Sequence, residues 1–329
     1  MRTRPVVPVL AAALAVLFVA SLFTGRVWLP PREILGGTGD AAGTELARLI
    51  LVELRLPRAL LGLLAGASLG LCGAVLQGLT RNPLAEPGLL GISSGAALGA
   101  VIAIYSGLAL EVPLATPLLG LAGAFLTALL TLALGRGGGM LVLILAGASV
   151  SGLMLAGTAL ALNLAPNPYA AYEISQWLLG SIADKSWDQL ALAGPFMVIG
   201  CALLMGTGRA LDALALGELQ ARSLGIDLPR LRLRIIAGTA LAVGAATSIT
   251  GAIGFIGLVA PHLVRHLVDY EPRRVLVPAT LCGAAVLLAA DIGTRLLPLD
   301  QELKLGVLTG LVGAPFFIAL VLRLKRTAP

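Results

Sequence analysis

Residues 58–96 read RALLGLLAGASLGLCGAVLQGLTRNPLAEPGLLGISSGA. The segment 57–79 is predominantly apolar and long enough to cross a bilayer, which takes about 20 residues of helix. Arg81, Asn82, Pro83, Glu86 and Pro87 then interrupt it, and a second apolar run extends to residue 107. Proline cannot continue a helix and pushes the residue before it towards extended backbone, so Pro83 and Pro87 act on Asn82 and Glu86. The stretch is read as a span, a tight polar turn and a second span, with Ser93 and Ser94 in the first turns of the second helix. Gly62, Gly66, Gly70, Ala74 and Gly78 recur every four residues before the turn, as do Gly91, Gly95 and Gly99 after it. Residues four apart share a helix face, so each helix offers a flat seam for close backbone packing.

Composition extends this reading to the whole chain. Of 329 residues, 58% are hydrophobic and 12% charged, against about 25% charged in a soluble domain. With 41 glycines and few aromatics, an all-α polytopic membrane protein of closely packed helices is expected. The alternating pattern of a membrane barrel is missing. Ten spans are predicted, at 6–24, 57–79, 89–107, 113–134, 141–163, 190–207, 233–252, 254–268, 275–297 and 303–322, in one transmembrane domain over 1–329. The N-terminal run resembles a secretory signal, but its core is long enough to span and is read as a retained first helix. Cys72, Cys201 and Cys282 lie inside apolar runs and are read as packing residues.

Ten spans put both termini on one side. With the termini in the cytoplasm, 15 of the 23 Lys and Arg fall inside, as the positive-inside rule requires. The net charge of +6 is then a topology signal, and no nucleic-acid partner is expected. LPRALLGLLAGASLGLCGA from Leu56 recurs as LPRLRLRIIAGTALAVGAA from Leu228, with eight of 19 positions identical. Five spans separate the copies, so they are expected to be inverted, a recurrent plan in transport proteins.

Several chemistries are missing. There is no G-x-x-x-x-G-K-[ST], and Gly135-Arg136-Gly137-Gly138-Gly139 lacks the Lys and Ser/Thr of a phosphate loop. Neither H-E-x-x-H nor C-x-x-C occurs, and the Ser93-Ser94 pair has no nearby His. His262 and His266, with Asp269 nearby, are read as a helix end rather than a metal site, so no catalytic, cofactor or metal residue is expected. Asp291 and Arg295, four apart near the outer end of the ninth span, are read as a local ion pair. Too few buried carboxylates occur for a proton relay. The longest cytoplasmic connection, 208–232, is too charged to span yet helical in pattern. ELQARSL sits between Gly217 and Gly225, a short amphipathic element suited to a protein partner's groove.

ALGELQARSLG, together with NPLAEPGLLGISSGA and GAIGFIGLVAPHLVR, resembles the FecCD-type permease subunits of bacterial type II ABC importers. The resemblance runs from about Arg55 to Arg323. It implies ten helices, a homodimer with the pathway between subunits, two separate ATPase subunits, a periplasmic binding protein, and an inner-membrane location. It implies no enzyme activity in this chain. Carried over by motif, Leu216, Gly217, Glu218, Ala221, Arg222, Leu224 and Gly225 would couple to the ATPase. Asn82, Pro83 and Leu84 would form part of a cytoplasmic gate, with Met140 and Leu141 where the family pattern is polar. Arg55, Arg58 and Arg295 would face acidic residues of the binding protein as exposed pairs, and helix five, through Met154 or Asn163, would line the path. The cargo implied is an iron chelate, siderophore or haem, with cobalamin as the alternative. From another class, an ion-coupled secondary transporter would transport without ATP or partner, and an intramembrane enzyme would turn over alone.

Overall fold

The computed structural model describes residues 6–25, 41–298 and 302–327. In chain order the main helices are α1 (Val6–Phe23), α2 (Leu56–Thr80), α3 (Ile92–Tyr105), α4 (Ala115–Leu134), α5 (Met140–Asn163), α6 (Pro168–Leu178), α7 (Trp187–Met205), α8 (Gly208–Ala215), α9 (Glu218–Ser223), α10 (Leu228–Thr250), α11 (Ile256–Arg265), α12 (Pro272–Leu296) and α13 (Leu305–Thr327). Among the described residues no strand occurs. Among the described residues seven helices are long and apolar enough to cross a membrane, counting α2 with the helical run from Glu45 that leads into it; α3, α11 and the Leu305–Ala319 part of α13 are shorter apolar helices. The basic residues 2, 4, 26 and 32, used in the orientation argument, lie outside the described residues.

α2 is the hub. It is buried along most of its length and packs against α12, α11 and α7. The glycine seam makes this possible: a Cβ on Gly66 would stand 2.5 Å from the Gly283 carbonyl oxygen, and one on Gly70 would stand 2.3 Å from that of Ala279. On α3, Gly95 and Gly99 meet α4 in the same way, near Thr127 and Leu119. In lipid no hydrophobic force drives helices together, so these close van der Waals contacts hold the pairs.

The tightest approach to backbone among the described residues is Gly73, where a Cβ would lie 1.8 Å from the Gly257 carbonyl oxygen of α11. Gly73→Ala is expected to cost about 1–3 kcal/mol through overpacking. Thermal melting in detergent would register this as a clear fall in midpoint. Gly152→Ala, where a Cβ meets nothing within 4 Å, is the matched control, and equal melting of both variants would refute the seam.

The structure departs from the expected boundaries at the seventh and eighth spans. α10 begins at Leu228, inside the stretch expected to be cytoplasmic loop, because Asp227 caps it by accepting from the Arg230 N–H at 3.1 Å and Pro229 occupies the first turn. Pro57 holds the matching position in the other repeat copy, but there the helical run from Glu45 continues into α2 without a side-chain cap. The chain then breaks between Thr250 and Ile256, leaving α11 only 10 residues, too short to cross alone. This irregular backbone is held by protein: the Ser181 N–H donates to the Thr250 carbonyl at 2.7 Å, and Gly180 and Gly306 both close on the Ala252 carbonyl. Non-helical backbone at membrane depth survives only with such internal partners. α6, capped by Asn167, was not foreseen from the sequence.

Candidate functional site

Three places gather the polar residues that the sequence singles out. The first is the break after α2. Arg81 adopts a left-handed conformation (φ 52°) and ends the helix. The Asn82 side chain accepts from the Leu84 N–H at 2.9 Å while its carbonyl accepts from the Ala85 N–H at 3.1 Å. Asn82-Pro83-Leu84-Ala85 is therefore a tight turn, with Pro83 fixing the second position. Ala85 is anchored in the interior, whereas Leu84 is 48% exposed. Glu86 is extended, and Pro87 starts one turn of helix that ends at Gly91 (φ 74°). Burial raises the Glu86 carboxyl above its ordinary pKa.

This break is seated on α5. A Cβ on Gly147 would stand 2.2 Å from the Leu89 carbonyl oxygen, and the Ser94 and Ser151 hydroxyls lie 3.0 Å apart. Met140 is the first residue of α5 and half-buried; Leu141 beside it is exposed. The two stretches expected to form a gate are thus joined through one helix. Met154 is half-buried and Asn163 exposed on that helix.

The second place is the α8–α9 element. Gly217 (φ 116°) and Gly225 (φ 81°) bracket α9, both in backbone conformations that side chains disfavour. At its end the Ile226 N–H bonds the Ala221 carbonyl and the Gly225 N–H bonds the Arg222 carbonyl, which is the Schellman closure of a helix. Ala221 is buried and pins the helix to the body. Leu216, Leu219 and Leu224 point away from it, 65%, 77% and 63% exposed. Leu219 belongs to this surface although only its neighbours were singled out from the sequence. Arg222 is exposed. Glu218 pairs with Arg232 at 3.1 Å, and Arg232 also donates to the Gly138 carbonyl at 2.8 Å. Nothing in the sequence marks Arg232 as this bridge, because its partners lie 14 and 94 positions away.

The third place is the outer end of α12, and here the expectation of exposed arginines is corrected. Arg55 is buried, and the Arg58 and Arg295 side chains are 13% and 6% exposed. Asp291, fully buried, takes Arg58 at 2.7 Å and Arg295 at 2.5 Å. Arg58 also pairs with Glu302. Arg295 donates to the Ser21 and Thr24 carbonyls at 2.8 Å each, and Arg55 to those of Leu22 and Phe23 at 3.0 and 2.9 Å. The physical reason is that α1 ends there with unpaired carbonyls and partial negative charge, which cations satisfy. The expected Asp291–Arg295 pair is present; Glu302, as the second carboxylate, was not foreseen. Nearby, burial lowers Lys185 to about 8. Among the described residues no three His, Cys, Asp or Glu side chains converge as a metal site. His262 stands edge-on to Phe316 with ring centroids 5.7 Å apart.

Residues 13–323 match the FecCD transport family. The chain is 39% identical over 316 residues to the vitamin B12 import system permease protein BtuC of Vibrio cholerae, covering 93% of this chain and 90% of that one. It is 38% identical over 280 residues to the hemin transport system permease protein HmuU of Yersinia pestis, covering 83% of each. A solved inward-facing structure of a metal-chelate type ABC transporter superposes with a TM-score of 0.86 at 32% identity, over 96% of this chain and 98% of that one.

Proposed function

This chain belongs to the FecCD transport family, and from that premise we propose how it works and what it carries. It is the membrane permease subunit of an ABC importer, a non-catalytic inner-membrane component that relies on a separate ATPase. The proposed assembly is a homodimer with two ATPase subunits on the cytoplasmic side and a periplasmic binding protein outside, both termini being cytoplasmic. The observation that carries the coupling is the exposed leucine surface of α9. A polar-facing loop that leaves Leu216, Leu219 and Leu224 uncovered suits a partner's groove.

Movement of α9 has a route to the gate. Glu218 on α9 holds Arg232, and Arg232 holds the Gly138 carbonyl just before α5. α5 in turn carries the break through Gly147. Nucleotide-driven displacement of α9 would then reach Met140, Leu141 and Leu84 together, with Asn82 and Pro83 keeping Leu84 at the tip of its turn. Arg55, Arg58 and Arg295 enter this reading by shaping the outer face for the binding protein rather than by presenting free charge.

The proposed cargo is a metal chelate, and an iron chelate within that class. The superposed metal-chelate transporter and the hemin permease support this. Cobalamin is the second reading, favoured by the vitamin B12 permease relative. The test is uptake into vesicles holding the full complex, offered radiolabelled haemin, ferric dicitrate or cobalamin. ATP-dependent uptake of an iron chelate alone supports the first reading; uptake of cobalamin alone replaces it. Uptake without ATP or ATPase would instead indicate a secondary transporter.

A further inference from the structure

The outer face holds a cavity that neither the arginine network nor the proposed gating uses. It has a volume of about 540 Å³ and opens between the outer ends of α3 and α4, α6 and the 181–189 connection. Lys185 lines it and also lines the space around Arg58, Arg295 and Glu302. The cavity therefore sits at the outer end of α12, and α2 runs from there to the break at the other end of the bundle. Its size falls in the range of small-molecule sites, about 300–1,000 Å³. All of this lining comes from one chain, so the site is complete without a second copy.

The charges in it are unevenly matched. Lys185 and Lys304 both line the cavity, and neither has an ion pair among the described residues. Burial, and then the positive charge of Lys304, lower Lys185 to about 8 against the opposing pull of Asp184, so the two ammonium groups stand within electrostatic reach of each other. Of the two lining carboxylates, Glu173 accepts from the Tyr169 hydroxyl, and Asp184 is exposed. A second observation points the same way. Gln189, in the first turn of α7, lines the cavity, and its buried side-chain oxygen has no hydrogen-bond partner among the described residues. Buried polar atoms are nearly always paired, so this one calls for a polar group brought by a ligand. Tyr172 and Trp177 add ring walls.

Two neighbouring ammonium groups, each with three donors, suit the oxygens of several carboxylates. Phosphate is more often gripped by a guanidinium fork, and no arginine lines this cavity. We propose that the cavity is an outer-face binding site for a carboxylate-rich metal chelate, its carboxylates held by Lys185 and Lys304 and a hydroxyl or metal-bound water of the ligand by Gln189. The proposal rests on the transport reading for its role and narrows the cargo to chelates with free carboxylates.

The experiment measures equilibrium binding of radiolabelled ferric dicitrate to the full chain in nanodiscs, beside ATP-dependent uptake by the complete complex. Lys185→Gln and Lys304→Gln are each expected to weaken binding about tenfold, and Gln189→Leu about fivefold. Lys185→Arg with Lys304→Arg is expected to recover most of the affinity, and unchanged melting temperatures separate lost binding from lost fold. Cobalamin, with amides in place of free carboxylates, is expected not to displace the chelate. Equal affinity in wild type and both glutamine variants would overturn the site. Displacement by equimolar cobalamin or inorganic phosphate would overturn the carboxylate class. Loss of binding-protein docking with chelate affinity unchanged would overturn the proposal too, giving the lysines to that partner. Chelate binding by a wild type whose complex shows no ATP-dependent uptake would fail the transport reading and keep the site; uptake by a complex whose lysine variants bind like wild type would do the reverse.

Discussion

Asp291→Ala is expected to leave little folded protein. Asp291 is fully buried and is the shared acceptor for Arg58 and Arg295. Its removal leaves Arg295 without its carboxylate and Arg58 with Glu302 alone, and breaking a buried pair from one side costs about 3–5 kcal/mol. The damage spreads to α1. Among its residues only Ser21 is buried, and in lipid no hydrophobic force presses it onto α12. Its C-terminal carbonyls are instead held by Arg295 and Arg55, and Arg295 keeps its orientation only while Asp291 holds its other branch. The measurement is the melting temperature and monodispersity of the purified chain. Asp291→Asn keeps the shape and one acceptor and is expected to recover part of the loss. Glu302→Gln is expected to cost about 1 kcal/mol or less, because Glu302 is part-exposed and screened by solvent. Wild-type melting by Asp291→Ala would show that the network does not hold the outer ends of α1, α2 and α12 together.

Leu219→Asp is expected to act on function with the fold intact. The side chain is 77% exposed, so its effect on stability stays within about 0.5 kcal/mol. A charge at the centre of an apolar docking surface typically removes about 2 kcal/mol or more of binding, roughly a thirtyfold loss of affinity. The variant is expected to reach the membrane in normal amount, to fail to retain the ATPase on purification, and to lose ATP-dependent uptake. Charge reversal at Arg222, exposed on the same helix, is expected to weaken assembly in the same direction. Glu218→Ala differs in mechanism: it releases Arg232, so ATPase hydrolysis is expected to continue while transport falls. Normal assembly and uptake by Leu219→Asp would sink the assignment of α9 as the coupling surface.

The sequence alone was enough for the membrane class and the helical architecture. Apolar runs of spanning length are a one-dimensional property, set by bilayer thickness and the need to satisfy backbone polar groups internally. The turn at Asn82–Ala85 was legible for the same reason, since Pro83, Pro87 and Gly91 act on their immediate neighbours. So were the glycine seams and the closure of α9 at Gly225, as both follow from four-residue periodicity and local backbone freedom. The long motifs around Leu216–Gly225 and Asn82–Leu84 pointed to the family, which the similarity over residues 13–323 bears out.

The Asp291–Arg295 pair, four residues apart, was legible, but only the tertiary structure decided where the other charges went. Arg58 and Arg295 look in sequence like outer-face cations available to a partner, but their carboxylates come from Asp291 and Glu302, and α1 supplies further acceptors. Such pairings join residues 233 and 274 positions apart, and no local rule reports which charges will meet. The same holds for Arg232, which links α9 to α5 across a turn whose glycines carry no sign of a partner. Helix content follows from the chain's own periodicity, whereas the partners of a charge follow from which helices the glycine seams allow to come together.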